Sequence, residues 1–152
     1  MARKRDKSPE RISGGYAAIP WCVLDSKSFI GASDKAKSLL FALIRQLNGQ
    51  NNGHLQLVYK WLSAQGWTSK SLNKKSIDEL IERGLIVKTK QGGLNLGNDK
   101  YALTWLIISN FVGLEIARSE YPFRKYTLCE LPPTERRKAP SKNLNHKNLA
   151  AR

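Results

Sequence analysis

Apolar residues recur at three- and four-residue spacing after Ser33: Ala36, Leu39, Leu40, Leu43 and Ile44. That spacing draws one stripe down a helix and predicts a helix near 34–47. Ser33 is a capping residue type, and Asp34 sets a carboxylate in the first turn. Lys35, Lys37, Ser38 and Arg45 fall outside the stripe, and the turn-rich run NGQNNG stops the helix. His54 to Leu57 has the length of a short strand. Leu55, Val58 and Leu62 then share one face of a short helix near 58–65, closed by Gly66 in a left-handed cap. Thr68 or Ser69 caps a third helix near 69–83, with Leu72, Ile77, Leu80 and Ile81 as its expected buried positions and Gly84 as its stop.

The period changes from there on. Leu85, Ile86 and Val87 begin a β-branched strand, and the glycine-rich stretch 91–99 is a loop. Tyr101, Leu103 and Trp105 alternate with Ala102, Thr104 and Leu106, which predicts a return strand and a ribbon over about 85–106. Upstream, Pro20 holds Ile19 in an extended conformation, and Val23, Leu24 and Phe29 are expected core anchors. Past Ser109 the pattern is weaker: Phe111, Leu114 and Ile116 fit either a short helix or an extended packing segment. Pro132-Pro133 marks the expected end of the fold. The expected organisation is a basic disordered arm over 1–15, one α+β domain with extensions over 16–131, and a basic disordered tail over 132–152.

Charge sharpens this picture. The chain carries 26 Lys plus Arg against 12 Asp plus Glu, a formal net charge of +14. Arm, domain and tail are all basic, so a polyanion is the expected partner. Within the third helix the charges are ordered. Lys70, Lys74 and Lys75 lie in the first half; Asp78, Glu79 and Glu82 lie in the second. The helix dipole favours the reverse order by about 0.3–1 kcal/mol per charge. Stability alone does not select that order, whereas a surface meeting phosphates does. The competing explanation is a solvated face with Lys74–Asp78 and Lys75–Glu79 pairs, in the poorer i,i+4 orientation. Ser71 and Asn73 add short polar groups that can reach base edges. Lys88, Lys90 and Gln91 flank the glycine loop, from which a hairpin can touch a sugar-phosphate backbone. The expected DNA-contacting set is Thr68, Ser69, Lys70, Ser71, Asn73, Lys74, Lys75, Lys88, Lys90 and Gln91.

The run GWTSKSLNKKSIDELIERGLIVKTKQGG resembles the turn, cap, helix and Gly-Leu-Ile signature of the winged helix-turn-helix superfamily of bacterial DNA-binding proteins. The run IPWCVLDSKSFIGASDKAKSLLFAL is similar to replication-initiator-type winged helices of plasmids and prophages. In those, an Ile/Val-Pro segment precedes a Ser-x-x-Ala-x-x-Leu-Leu helix. The resemblance covers Ile19 to Trp105. It implies a three-helix winged helix-turn-helix with a two- or three-stranded wing sheet, a recognition helix over 69–83 and a wing over 88–100. Such initiators carry a second winged helix or an ATPase module, neither of which is expected in these 152 residues. A small transcriptional regulator or replication accessory factor of a phage- or plasmid-type element, binding double-stranded DNA at the nucleoid in the cytoplasm, is therefore the expectation. The second reading is a phage-encoded factor that inhibits a host nucleoprotein complex through a winged-helix scaffold. A homodimer and a host or phage protein stand as further partners.

Other chemistry has little support. His54 and His146 have no neighbouring nucleophile or carboxylate cluster, so no enzyme is expected. Cys22 and Cys129 lack metal-ligand spacing and read as two reduced cysteines, with a single disulfide as the alternative. The carboxylates Asp78, Glu79 and Glu82 read as a salt-bridge face in preference to a metal pair. Gly92, Gly93 and Gly97 match no phosphate-loop fingerprint. No metal and no cofactor are expected. The most apolar window, Ala102 to Ile116, is too short and too polar to span a bilayer, and no membrane partner is expected. Trp21, Trp61 and Trp105 are expected in the core; for Trp67, in the turn before the third helix, a contact with DNA is the lesser alternative to packing.

Overall fold

The computed structural model describes residues 14–135 of the 152. The expected arm up to residue 13 and the tail from residue 136 lie outside the described residues. Among the described residues the architecture is α+β: five α-helices and a two-stranded antiparallel sheet. The first two helices are single turns, α1 (Trp21–Leu24) and α2 (Lys27–Ile30). They follow the extended Pro20, and the sequence pattern does not announce them. Each buries one residue and leaves no periodic stripe: Val23 in α1 and Ser28 in α2.

The next three helices stand where the periodicity places them: α3 (Asp34–Arg45), α4 (Tyr59–Ala64) and α5 (Lys70–Glu82). Ser33 caps α3 by accepting from the Ala36 N–H, and Ser69 caps α5 by accepting from the Leu72 N–H. Gly66 and Gly84 both take positive φ just beyond their helices, where a side chain would be strained. Leu39, Leu40 and Leu43 of α3 are buried in one cluster with Leu62 of α4 and Leu80 of α5.

Strand β1 (Ile86–Lys90) pairs with β2 (Lys100–Leu103). Leu55 adds a two-bond bridge to Tyr101 on the open side of β2, at 2.8 and 3.2 Å. The ladder thus runs Leu55, β2, β1. A bulge at Thr89 breaks the register. Its hydroxyl donates to the Gly53 carbonyl, and its own carbonyl accepts from the Glu115 N–H at 2.8 Å. The return strand shows no alternation of burial, since Tyr101 to Trp105 are all buried. The segment past Ser109 accounts for part of this. It is an irregular strap that bonds back to the sheet at Thr89 and at Thr104, whose carbonyl accepts from the Arg124 N–H. A 3₁₀ turn (Lys125–Leu128) then buries Tyr126 edge-on against Trp105.

Two polar clamps hold the strap and the turns. The Asn52 amide is buried; its oxygen accepts from the Leu103 N–H at 2.8 Å, and its nitrogen donates to the carbonyls of Leu103, Leu106 and Ile107. The Tyr121 hydroxyl donates to two of the same carbonyls, Leu103 and Leu106. At the other end of the domain, Glu79 of α5 accepts from the Ser33 N–H, the Ser33 hydroxyl and the Thr134 hydroxyl. Burial by itself would raise its pKa. The hydrogen bonds from Ser33 and Thr134, with the nearby Arg83 charge, outweigh that and hold the carboxyl below its ordinary range. The buried Arg83 donates to the Pro132 carbonyl and to Thr134. Side-chain contacts with the domain thus run to Thr134, past the expected end at Pro132-Pro133.

Four side chains depart from expectation, the first being Leu24, which is half-buried and outside the core cluster. Trp21 is 83% exposed, because the one-turn helix α1 turns only Val23 inward. Leu72 is 43% exposed and Asn73 is buried in its place. The cause is the turn before α5. Its Trp67 carbonyl accepts from the Asn73 amide at 3.0 Å, which rotates that residue inward. Cys22 and Cys129 are both free thiols, and they line one shallow cavity beside Tyr126.

Candidate nucleic-acid interface

The expected contact residues divide on the folded chain. Along α5 the inward row is Asn73, Ser76 and Leu80. The outward face carries Lys70, Ser71, Lys74 and Lys75, all exposed. Thr68 is exposed in the preceding turn, and Ser69 is half-buried as the cap. Asn73 leaves this set as a correction: its amide is spent on the backbone of the turn and faces no groove. Of the two ion pairs weighed for the helix, Lys74–Asp78 forms at 3.4 Å between exposed side chains. Glu79 turns to Ser33 and Thr134 instead of Lys75. The acid in the second half of α5 therefore has a structural task of its own.

Tyr59, at the start of α4, connects this face to the ribbon. Its hydroxyl donates to the Thr68 carbonyl at 3.0 Å, and the Lys70 ammonium lies 4.6 Å from its ring centroid. Tyr59 also lines a shallow hollow with Ile77 of α5 and with Gly92, Gly93 and Gly97 of the hairpin loop. Helix start and hairpin loop thus border one surface.

At the ribbon, Lys88 is ion-paired with Asp99 at 2.8 Å and donates to the Gln91 side chain at 3.1 Å. Burial works against the charged form of Asp99, but hydrogen bonds from Lys88 and the Gly92 N–H hold its pKa below the ordinary value. Lys88 and Gln91 are accordingly tied to the loop. Lys90 stands opposite Lys100 in the ladder. Its position is cationic from both strands, and no salt bridge to either lysine occurs among the described residues. Lys100 lies 3.4 Å from His54 Nδ1, and His54 Nε2 lies 2.9 Å from the Asn110 carbonyl. His54 has no catalytic partner in these contacts.

Lys100, Tyr59, Lys35 and Lys37 are the residues that sequence reasoning left out. Lys35 and Lys37 were visible as charges outside the α3 stripe; they border the groove that also holds Leu72 and Lys75. The Lys90–Lys100 pair depends on the bulge, which no periodicity announces. Trp67 is half-buried and its indole N–H donates to the Ser38 hydroxyl at 3.0 Å, a packing role. Among the described residues no group of three His, Cys, Asp or Glu side chains is placed to hold a metal ion. No helix among them is long and apolar enough to cross a membrane. Comparison of the chain with protein-family models, curated proteins and solved structures finds no match.

Proposed function

We propose that the chain is a double-stranded DNA-binding protein of winged helix-turn-helix type, acting as a small transcriptional regulator or replication accessory factor in the bacterial nucleoid. The observation that carries this reading is the split of α5. Its inward row serves the fold, while Ser71, Lys74 and Lys75 face solvent and Lys70 leans on the Tyr59 ring beside the hairpin. The order α3, Leu55 bridge, α4, α5, β1, β2 supports the winged-helix assignment, with α5 as recognition helix and the loop between the strands as wing.

Lysines on α5 and at Lys90 and Lys100 supply four or five phosphate contacts in this reading. Titrating salt against binding to a labelled duplex tests it. A log–log slope of about −4 to −5 is expected for the folded region alone. A slope near zero would mean that the charge meets no polyanion.

The second reading, a protein-interaction factor of phage origin that acts on a host nucleoprotein complex, is favoured by one observation. Leu72 and Ile30 are exposed beside the groove that Lys35, Lys37 and Lys75 border. Salt-insensitive binding to a nucleoprotein, without affinity for its bare DNA, would select it.

A further inference from the structure

The tip of the hairpin is apolar. Leu94 is 92% exposed and Leu96 60% exposed, with Asn95 between them in a left-handed conformation. Gly93 and Gly97 face each other below the tip, joined by the Gly93 N–H to Gly97 carbonyl bond at 3.1 Å. A Cβ at Gly97 would meet nothing within 4 Å, so that position has open space and no side chain in it. The neck of the hairpin is therefore bare backbone at the Gly93–Gly97 pair. Below the neck, Lys90 and Lys100 put two facing ammonium-bearing side chains at the base.

We infer that this hairpin enters the minor groove of duplex DNA and that Leu94 and Leu96 wedge against a base step, kinking the duplex. The inference rests on the duplex-binding reading above and adds a mode of contact to it. A minor groove is about 6 Å wide, and a neck without side chains crowds its walls less than a ribbon that bears them. Exposed leucines at the tip give no stability to a free domain in water. Against an unstacked base step they lose that water contact, and apolar wedges of this kind bend duplexes toward the major groove. The lysine pair at the base then meets the phosphates that border the groove. The Asn95 amide can donate to the acceptors on the groove floor. Two leucines are a small apolar tip, whereas a lipid surface would take a broader apolar face, so the occupant is duplex DNA.

The test compares the wild-type chain with the double variant Leu94→Ser, Leu96→Ser. Anisotropy with a labelled alternating TA duplex gives affinity and salt slope. End-to-end energy transfer gives bending, and 2-aminopurine within the duplex reports unstacking. The wild type should shorten the end-to-end distance and raise 2-aminopurine emission. The double variant should keep its thermal midpoint and salt slope, lose bending and unstacking, and bind up to about ten-fold more weakly. A wild-type complex that is straight and stacked, or a variant that bends as well as wild type, overturns the wedge and leaves duplex binding intact. Duplex contacts unchanged by the substitutions, with loss of cosedimentation on phosphatidylglycerol vesicles, would assign the tip to lipid and also overturn it. No anisotropy change with any duplex would remove both readings together.

Discussion

Lys90 faces Lys100 across the ribbon, where an unbroken register from the Ile86–Leu103 pair would have set Asp99. The bulge at Thr89 moves the acid out of that position, and Asp99 pairs with Lys88 instead. Like charges directly opposite in a ladder are destabilising, so the fold tolerates this pair without benefit from it.

Lys90→Gln with Lys100→Gln should therefore leave the thermal midpoint unchanged or raise stability by a few tenths of a kcal/mol, roughly the low end of a cross-strand pair. Duplex affinity should fall, and the salt slope should lose about 0.9 for each phosphate contact removed. Reduced stability with an unaltered slope would show that the two lysines serve the sheet.

Asn73→Ala should act on folding. It leaves the half-buried Trp67 carbonyl without its 3.0 Å donor, a loss of about 1 kcal/mol. Preference among duplex sequences should survive in whatever fraction stays folded. Ser71→Ala should do the converse, with unchanged chemical denaturation and altered discrimination. A change in discrimination for Asn73→Ala at full folding would return that residue to the contact set.

Glu79 gives the domain an acid-sensitive joint. Its carboxyl titrates below the ordinary range when folded, because the Ser33 and Thr134 bonds and Arg83 overcome the opposing effect of burial. A carboxyl with a depressed folded pKa contributes stability above its unfolded pKa, about 4.3, and loses it as the pH falls through the folded value. The midpoint difference between wild type and Glu79→Gln should be full at neutral pH and shrink once the pH drops below that point. A gap that stays constant down to pH values well under the carboxylate range would show that the amide fails in shape and not in charge.

Asn52→Leu should be among the costlier single changes. Four bonds to the backbone of the return strand and its exit are lost at once. A loss of at least about 2 kcal/mol is expected from unmet buried groups, read by urea unfolding. Retained stability would mean that the Tyr121 hydroxyl alone can satisfy the shared carbonyls.

Where burial is periodic, the chain announced its elements. The α3 stripe, the α5 stop at Gly84 and the change of period after Leu85 all have counterparts in the fold. The site was legible at the level of a face: Lys70, Ser71, Lys74 and Lys75 are outward together. One-residue choices were not legible. Leu72 and Asn73 exchange places because of a carbonyl six residues away, which composition does not register. The strap past Ser109 holds to the sheet largely through backbone groups, at Glu115 and Arg124, and backbone bonds carry no residue code.

The division of α5 has a consequence for how this protein can change. The buried residues that keep the helix in place and the residues that face solvent occupy separate rows. On the DNA-binding reading proposed above, drift at Ser71, Lys74 or Lys75 re-aims the molecule toward new targets while the buried row stays as it is. Glu79, which locks α3 to the strap, and the inward row Asn73, Ser76 and Leu80 constrain that freedom from within the same helix.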